Sequence, residues 1–303
     1  MGITAVQGAA LGGIALNTFR EVMRQPFFYL LVGAGLAGLV VTFFLPWFTF
    51  YNDTDMYKEI GLSFILVFAL VAGVLAAATS VAREVEDRTA QTILAKALGR
   101  GVFILGKYLG VLATVAIAVG ILGVVFSAAT YYRVWWDAAM GGHGARVPVG
   151  LGAEVDAFHA SQWNQALTIL PGVVLIFLQV GVMVAVATAL SARFSVTASV
   201  GLSLTAFVVG HLTVFLEGGM RSAGEAQRTL AQAALAAVPF LEIFNINRRL
   251  AHTILTPFAP GTPGAAEWAA VWAYVGVAAL YALVYSAFAI GAGVVLFRRR
   301  AIG

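Results

Sequence analysis

Three observations predict an all-α polytopic membrane protein with six transmembrane helices. Of 303 residues, 61% are hydrophobic and only 11% charged, whereas about a quarter of a soluble chain is charged. Mean hydropathy is +0.91, and hardly any stretch is polar enough to clothe a soluble body. Six long intervals contain no Asp, Glu, Lys or Arg, and a helix rising about 1.5 Å per residue needs about 20 apolar residues to cross a hydrocarbon core of about 30 Å. The chain reads as one transmembrane domain over residues 1–303. It has no cysteine, which excludes disulfides, thiolate metal sites and cysteine nucleophiles.

The first segment is uncharged through residue 19, but Arg20 and Arg24 follow this run instead of preceding it, the wrong order for a secretory signal. Leu16, Phe19, Met23 and Phe27 recur at helical spacing, while Asn17, Arg20, Glu21 and Arg24 fall on another face. The pattern predicts a helix over 10–25 lying in the cytoplasmic membrane interface and ended by Pro26; a first span that begins early is the other reading. Spans follow near 27–49, 60–82, 108–130, 167–190, 196–216 and 270–296, each between charged residues. The connections 131–166 and 217–268 are the long extracellular loops. Within the second, residues 229–241 (TLAQAALAAVPFL) are apolar but too short to cross and carry Pro239, which suits short re-entrant helices before the last span.

Six spans place both termini on one side. With the termini cytoplasmic, the inside segments carry 11 basic and 4 acidic residues, and the outside loops 7 basic and 10 acidic over a longer stretch. The excess of Lys and Arg therefore predicts cytoplasmic termini in a cytoplasmic (inner) membrane. The overall charge of +4 gives no reason to invoke nucleic acid, because in a membrane protein the position of the charges matters more than their sum.

The spans lack the carboxylates that ion-coupled carriers and intramembrane proteases require. Their strongest polar residues are Gln179 and His211. A lone His near a helix end is either a relay or ligand, or simply hydrogen-bonded in place. Ser195, Ser199 and Ser203 recur every four residues, a ridge that either lets helices approach closely or lines a polar path. Gln179, Ser199, Ser203 and His211 are the candidates for a translocation path. The four histidines show no metal-binding spacing, and no metal is expected.

Residues 83–107 (REVEDRTAQTILAKALGRGVFILGK) form the only substantial cytoplasmic loop and hold eight of the 32 charges. A short amphipathic helix is expected over 83–99: Glu84, Glu86 and Asp87 open it, Lys96 lies near its end, and Gly99 and Arg100 stop it. Gly101 to Tyr108 imitates the start of a phosphate-binding loop, but Tyr108 stands where a Ser or Thr would hold magnesium and the middle is bulky. This chain is therefore expected to bind no nucleotide.

These residues resemble a known family, the permease subunits of ATP-binding-cassette (ABC) transporters of the type-2 exporter architecture. Such permeases have an interfacial helix, six spans, and after the second span a coupling helix with Glu-x-Glu-x-x-Thr, then Leu-Ser-Lys-Pro, an Arg, and Gly-Lys opening the third span. The matches are Glu84, Glu86, Thr89, Leu94, Lys96, Arg100, Gly106 and Lys107; Ala97 departs, standing where the family has Pro. VPFLEIFNI, residues 238–246, is similar to the family's segment before the last span. By overall pattern the chain is also similar to permeases serving the maturation of bacterial copper enzymes such as nitrous oxide reductase.

The resemblance implies a non-enzymatic export subunit that pairs with a second permease copy, most simply as a homodimer, and with a cytoplasmic ATPase that binds ATP and magnesium. It gives Arg83, Glu84, Glu86, Asp87, Arg88, Thr89, Thr92, Lys96 and Arg100 the role of ATPase coupling. The alternative is a membrane enzyme or assembly factor acting through its extracytoplasmic loops, where Asp137, His143, Glu154, Asp156, His159, Glu217, Glu225, Glu242, His252 and Glu267 form no recognisable motif. A purely structural scaffold is a third class.

Overall fold

A computed structural model describes residues 3–45, 53–86, 99–140, 147–150, 152–219, 238–246, 250, 255 and 263–300. Eight α-helices are described: α1 (Ile3–Met23), α2 (Pro26–Phe44), α3 (Asp53–Glu86), α4 (Arg100–Ala139), α5 (Ala153–Thr168), α6 (Leu170–Ser191), α7 (Val196–Gly219) and α8 (Pro263–Arg300). A single 3₁₀ turn, Leu241–Phe244, precedes α8, and no strand occurs among the described residues. Six stretches are long and apolar enough to cross a membrane: Pro26–Phe44, Thr54–Ala82, Arg100–Ala139, Ala153–Ser191, Val196–Thr213 and Pro263–Phe297. The chain is thus an all-helical, multi-pass membrane protein.

The centre of the bundle is α6, which is apolar on all sides and has 16 buried residues among its 22. It packs against α3, α8, α4 and α7. A helix without a polar face is what a bundle interior in lipid requires. Several hydroxyls along the spans are satisfied locally: Thr42 donates to the Gly38 carbonyl, Thr114 to Gly110, Thr130 to Phe126, Thr188 to Val184 and Ser191 to Ala187. These bonds to the preceding turn let a hydroxyl sit in an apolar bundle without a partner on another helix.

Glycines set two of the closest helix approaches. A Cβ on Gly106 would fall 2.7 Å from Ile14 Cγ2, and one on Gly110 would fall 2.5 Å from the Ala15 carbonyl oxygen. The GKYLG stretch is therefore a notch that seats α1 across the beginning of α4. Gly293 plays the same part between α8 and α6, against the backbone of Ala189.

Several boundaries differ from expectation. The expected spans stop at the first charged residue, yet α3 begins at Asp53 and α4 runs on to Ala139, carrying Lys58 and Arg133 inside helices rather than in outside loops. Both are buried, at 0% and 2% exposure. Helix formation continues past them because each charge meets a partner within the protein. Expected loop 131–166 contains the end of α4 and all but the last two residues of α5, which packs on α4. The N-terminal helix begins near residue 3 rather than 10, and the first span ends at Phe44. Residues 83–86, expected to open a separate coupling helix, are the last turn of α3; the rest of that expected helix, 87–98, lies outside the described residues.

Candidate functional site: a charged junction at the basic end

Three helices meet at Lys107. This residue lies two turns into α4 and is 1% exposed, because the Gly106 and Gly110 notch brings α1 down over it. Its ammonium is 2.6 Å from Glu84 Oε1, in the last turn of α3, and 3.4 Å from Glu21 Oε2, in the last turn of α1. A buried cation needs such partners, since desolvating an ammonium without compensation is prohibitively costly. The junction fastens the ends of α1 and α3 to α4, at the point where the chain leaves α3 for residues 87–98.

Of the coupling residues expected from sequence, Glu84 turns into this junction. Arg83 and Glu86 share the last turn of α3, though their side chains lie outside the described residues, as do Asp87, Arg88, Thr89, Leu94, Thr92 and Lys96 altogether. Arg100 begins α4 and is half-buried. Sequence reasoning marked Lys107 only through its Gly-Lys pair and saw Glu21 only as part of a polar helix face. Their meeting depends on helix packing that no local pattern encodes. The phosphate-loop imitation at 101–108 is helical throughout, and even the amides of Val102 and Phe103 are bonded to the Gly99 carbonyl.

Of the translocation-path candidates, Gln179 and His211 meet across two helices. Gln179 Nε2 of α6 lies 3.0 Å from His211 Nε2 of α7, and His211 Nδ1 lies 3.0 Å from the Phe207 carbonyl. Nδ1–H therefore donates to the backbone, and Nε2 accepts from the Gln179 amide. Ser203 donates to the Ser199 carbonyl, and both serines are fully buried, while Ser195 is exposed. In this conformation Gln179, Ser199 and Ser203 are packing residues, and the hydrogen bond that holds His211 joins α6 to α7.

The opposite end is closed by a second charged network. Arg133 Nε lies 2.8 Å from Asp137 Oδ1, Arg133 Nη1 donates to the Phe43 carbonyl, and Thr54 donates to Asp137 Oδ2. The guanidinium also sits 5.7 and 5.9 Å from the ring centres of Phe43 and Tyr57, within cation–π range. Lys58 pairs with Asp55 at 2.9 Å and donates to Gln165 Oε1 at 2.8 Å. Together these contacts join α2, α3, α4 and α5. The i,i+4 spacing of Arg133 and Asp137 and the i,i+3 spacing of Asp55 and Lys58 are the sequence signals that could have placed them in helices.

Among the outer-loop candidates, Asp137 is held as above, His159 Nδ1 lies 2.9 Å from Gln162 Oε1, and Glu242 accepts from Asn245. Glu154 and Asp156 are exposed in the first turn of α5, and Glu267 is exposed near the start of α8. The side chain of Glu217, and all of His143, Glu225 and His252, lie outside the described residues. Among the described residues no group of three or more potential metal ligands assembles.

Residues 238–246 form an extended entry and the 3₁₀ turn, packed against α6, α7 and α8. The Phe240 amide donates to Tyr281 Oη at 2.7 Å, and Tyr274 Oη donates to the Ile243 carbonyl at 2.6 Å. Tyr281 lies midway along the 38-residue α8, so irregular backbone reaches the middle of a long apolar helix with its polar groups satisfied by tyrosine hydroxyls. The preceding residues 229–237 lie outside the described residues.

No protein-family model matches the chain, and a search of curated proteins finds no match.

Proposed function

We propose that this chain is the permease subunit of an ABC transporter, forming the membrane path with a second copy of itself and driven by a separate cytoplasmic ATPase, in the direction of export. The observation that carries the reading is the Lys107 junction. A segment that receives force from a motor must be fastened to the helices it is to move, and α3 enters residues 87–98 directly after Glu84 is locked to Lys107 and, through it, to Glu21. A push on that segment is then shared by α1, α3 and α4 instead of fraying one helix end. On this reading α1 is the interfacial helix, the basic end faces the cytoplasm with both termini, and 238–246 belongs to a re-entrant element. Irregular backbone at membrane depth is tolerated where protein groups satisfy it, as Tyr274 and Tyr281 do here.

The test is to extract the tagged protein in mild detergent and ask whether a soluble subunit that hydrolyses ATP comes with it. Capture is expected, and Glu86→Ala combined with Asp87→Ala is expected to abolish it while leaving thermal stability unchanged. A protein that purifies alone with its transport activity intact would sink the proposal.

A further inference from the structure

A groove of about 780 Å³ runs along the flank of the bundle between α1, α4 and α8. Leu105, Leu109 and Leu283, all exposed, form its apolar walls, and Gly8, Gly101 and Gly291 also line it. The glycines are informative by contrast with Gly106 and Gly110. A Cβ on Gly8 or Gly291 would meet nothing within 4 Å, and one on Gly101 would meet only Val294 Cγ2 at 3.9 Å. Contacts among the described residues do not require them, although glycine inside a helix is disfavoured against alanine. Their effect is to keep the groove open.

Length and charge identify an occupant. From residue 101 to 109 the groove follows α4 for roughly 12 Å, and from 283 to 294 it follows α8 for roughly 16 Å, at about 1.5 Å per residue. That is about half of a 30 Å hydrocarbon core, the depth of one leaflet, and too short for a helix that crosses the bilayer. At the basic end of the bundle the lining residue Gly101 follows Arg100, the first residue of α4, and the backbone of α8 continues one turn past the lining residue Val294 into Arg298, Arg299 and Arg300. Glu21 and Glu84, the acidic side chains described at this end, are held by Lys107.

We propose that the groove binds one anionic glycerophospholipid, an acyl chain lying between α4 and α8 and its phosphate at the basic rim. Basic residues beside a membrane surface attract anionic headgroups, and the bilayer is the medium into which these spans open. The site stands on the multi-pass architecture and is independent of the transport reading.

Native mass spectrometry of the full-length protein, released from detergent containing equal amounts of phosphatidylglycerol and phosphatidylethanolamine, tests the site. One phosphatidylglycerol per chain is expected to be retained. Gly291→Phe, which fills the groove, should reduce retention at least tenfold, whereas Gly120→Phe, at another position where a Cβ has open space, should not. Arg100→Gln should lower the preference for phosphatidylglycerol about fivefold, the worth of one basic charge at a membrane surface. Because the chain has no cysteine, Gly291→Cys provides a sole thiol, which should not form a disulfide between copies in membranes. Retention unaffected by Gly291→Phe, equal retention of both lipids by the unmodified protein, or efficient cross-linking through Gly291→Cys would each overturn the proposal, the last by showing that a second copy covers the groove. Should Gly291→Phe fail to fold, the Arg100→Gln and cross-linking results decide.

Discussion

Replacing Lys107 by Met keeps most of the length of the side chain and removes the charge that holds Glu21 and Glu84. Removing one partner of a buried ion pair costs about 3–5 kcal/mol. The Glu84 side chain keeps 22% exposure, which places its pair near the lower end, at about 3 kcal/mol. Glu21 is at 3.4 Å and 36% exposed, so it behaves as a surface partner worth about 0.5 kcal/mol. The two carboxylates should therefore couple unequally to the same lysine. In double-mutant cycles, Lys107→Met with Glu84→Gln should show a coupling of about 2 kcal/mol or more, and Lys107→Met with Glu21→Gln less than about 1 kcal/mol. The measurement is equilibrium unfolding in mixed detergent micelles at all corners of both cycles. Equal couplings, or two values near zero, would refute the assignment of Glu84 as the principal partner.

Gly110→Ala places a Cβ 2.5 Å from the Ala15 carbonyl and should cost about 1–3 kcal/mol by overpacking. Gly120→Ala, with open space around it, should be neutral or stabilise by up to about 1 kcal/mol; thermal midpoints of the two variants compare them directly. Tyr281→Phe removes the acceptor of the exposed Phe240 amide and should cost about 0.5–1.5 kcal/mol. With Val238→Cys as the sole thiol, its maleimide labelling should accelerate in that variant, and an unchanged rate would mean that the hydroxyl does not hold the segment. Gln179→Leu alone strands His211 and should destabilise by about 1–3 kcal/mol, while Gln179→Leu with His211→Phe should recover most of that loss, since removing both partners is cheaper than removing one.

The six spans were legible because lipid imposes a length and a composition on every crossing helix, and charge-free intervals report both. Their ends were not. Lys58 and Arg133 looked like loop residues because a charge in a linear sequence gives no sign of its partner; Gln165 is 107 positions from Lys58, and the Phe43 carbonyl is 90 from Arg133. The GKYLG glycines serve close packing, and small residues four apart form such a helix notch. That α1 fills this notch depends on the chain doubling back, which local spacing does not report. Gln179 and His211 stood out by polarity alone, but their hydrogen bond joins two helices and was not readable from either.

The sequence by itself determined the class of protein, an apolar helical bundle with its basic residues biased to one end, because hydrophobic length and charge distribution are local properties of the chain. Tertiary structure decided which charges are surface and which are internal fastenings. Glu84 could be read from sequence as a contact for a soluble partner; folded, it closes on Lys107, because the glycine notch lets α1 cover the lysine and shield it from water. Buried ion pairs are made by helices meeting in space, and only the packed bundle shows where they meet.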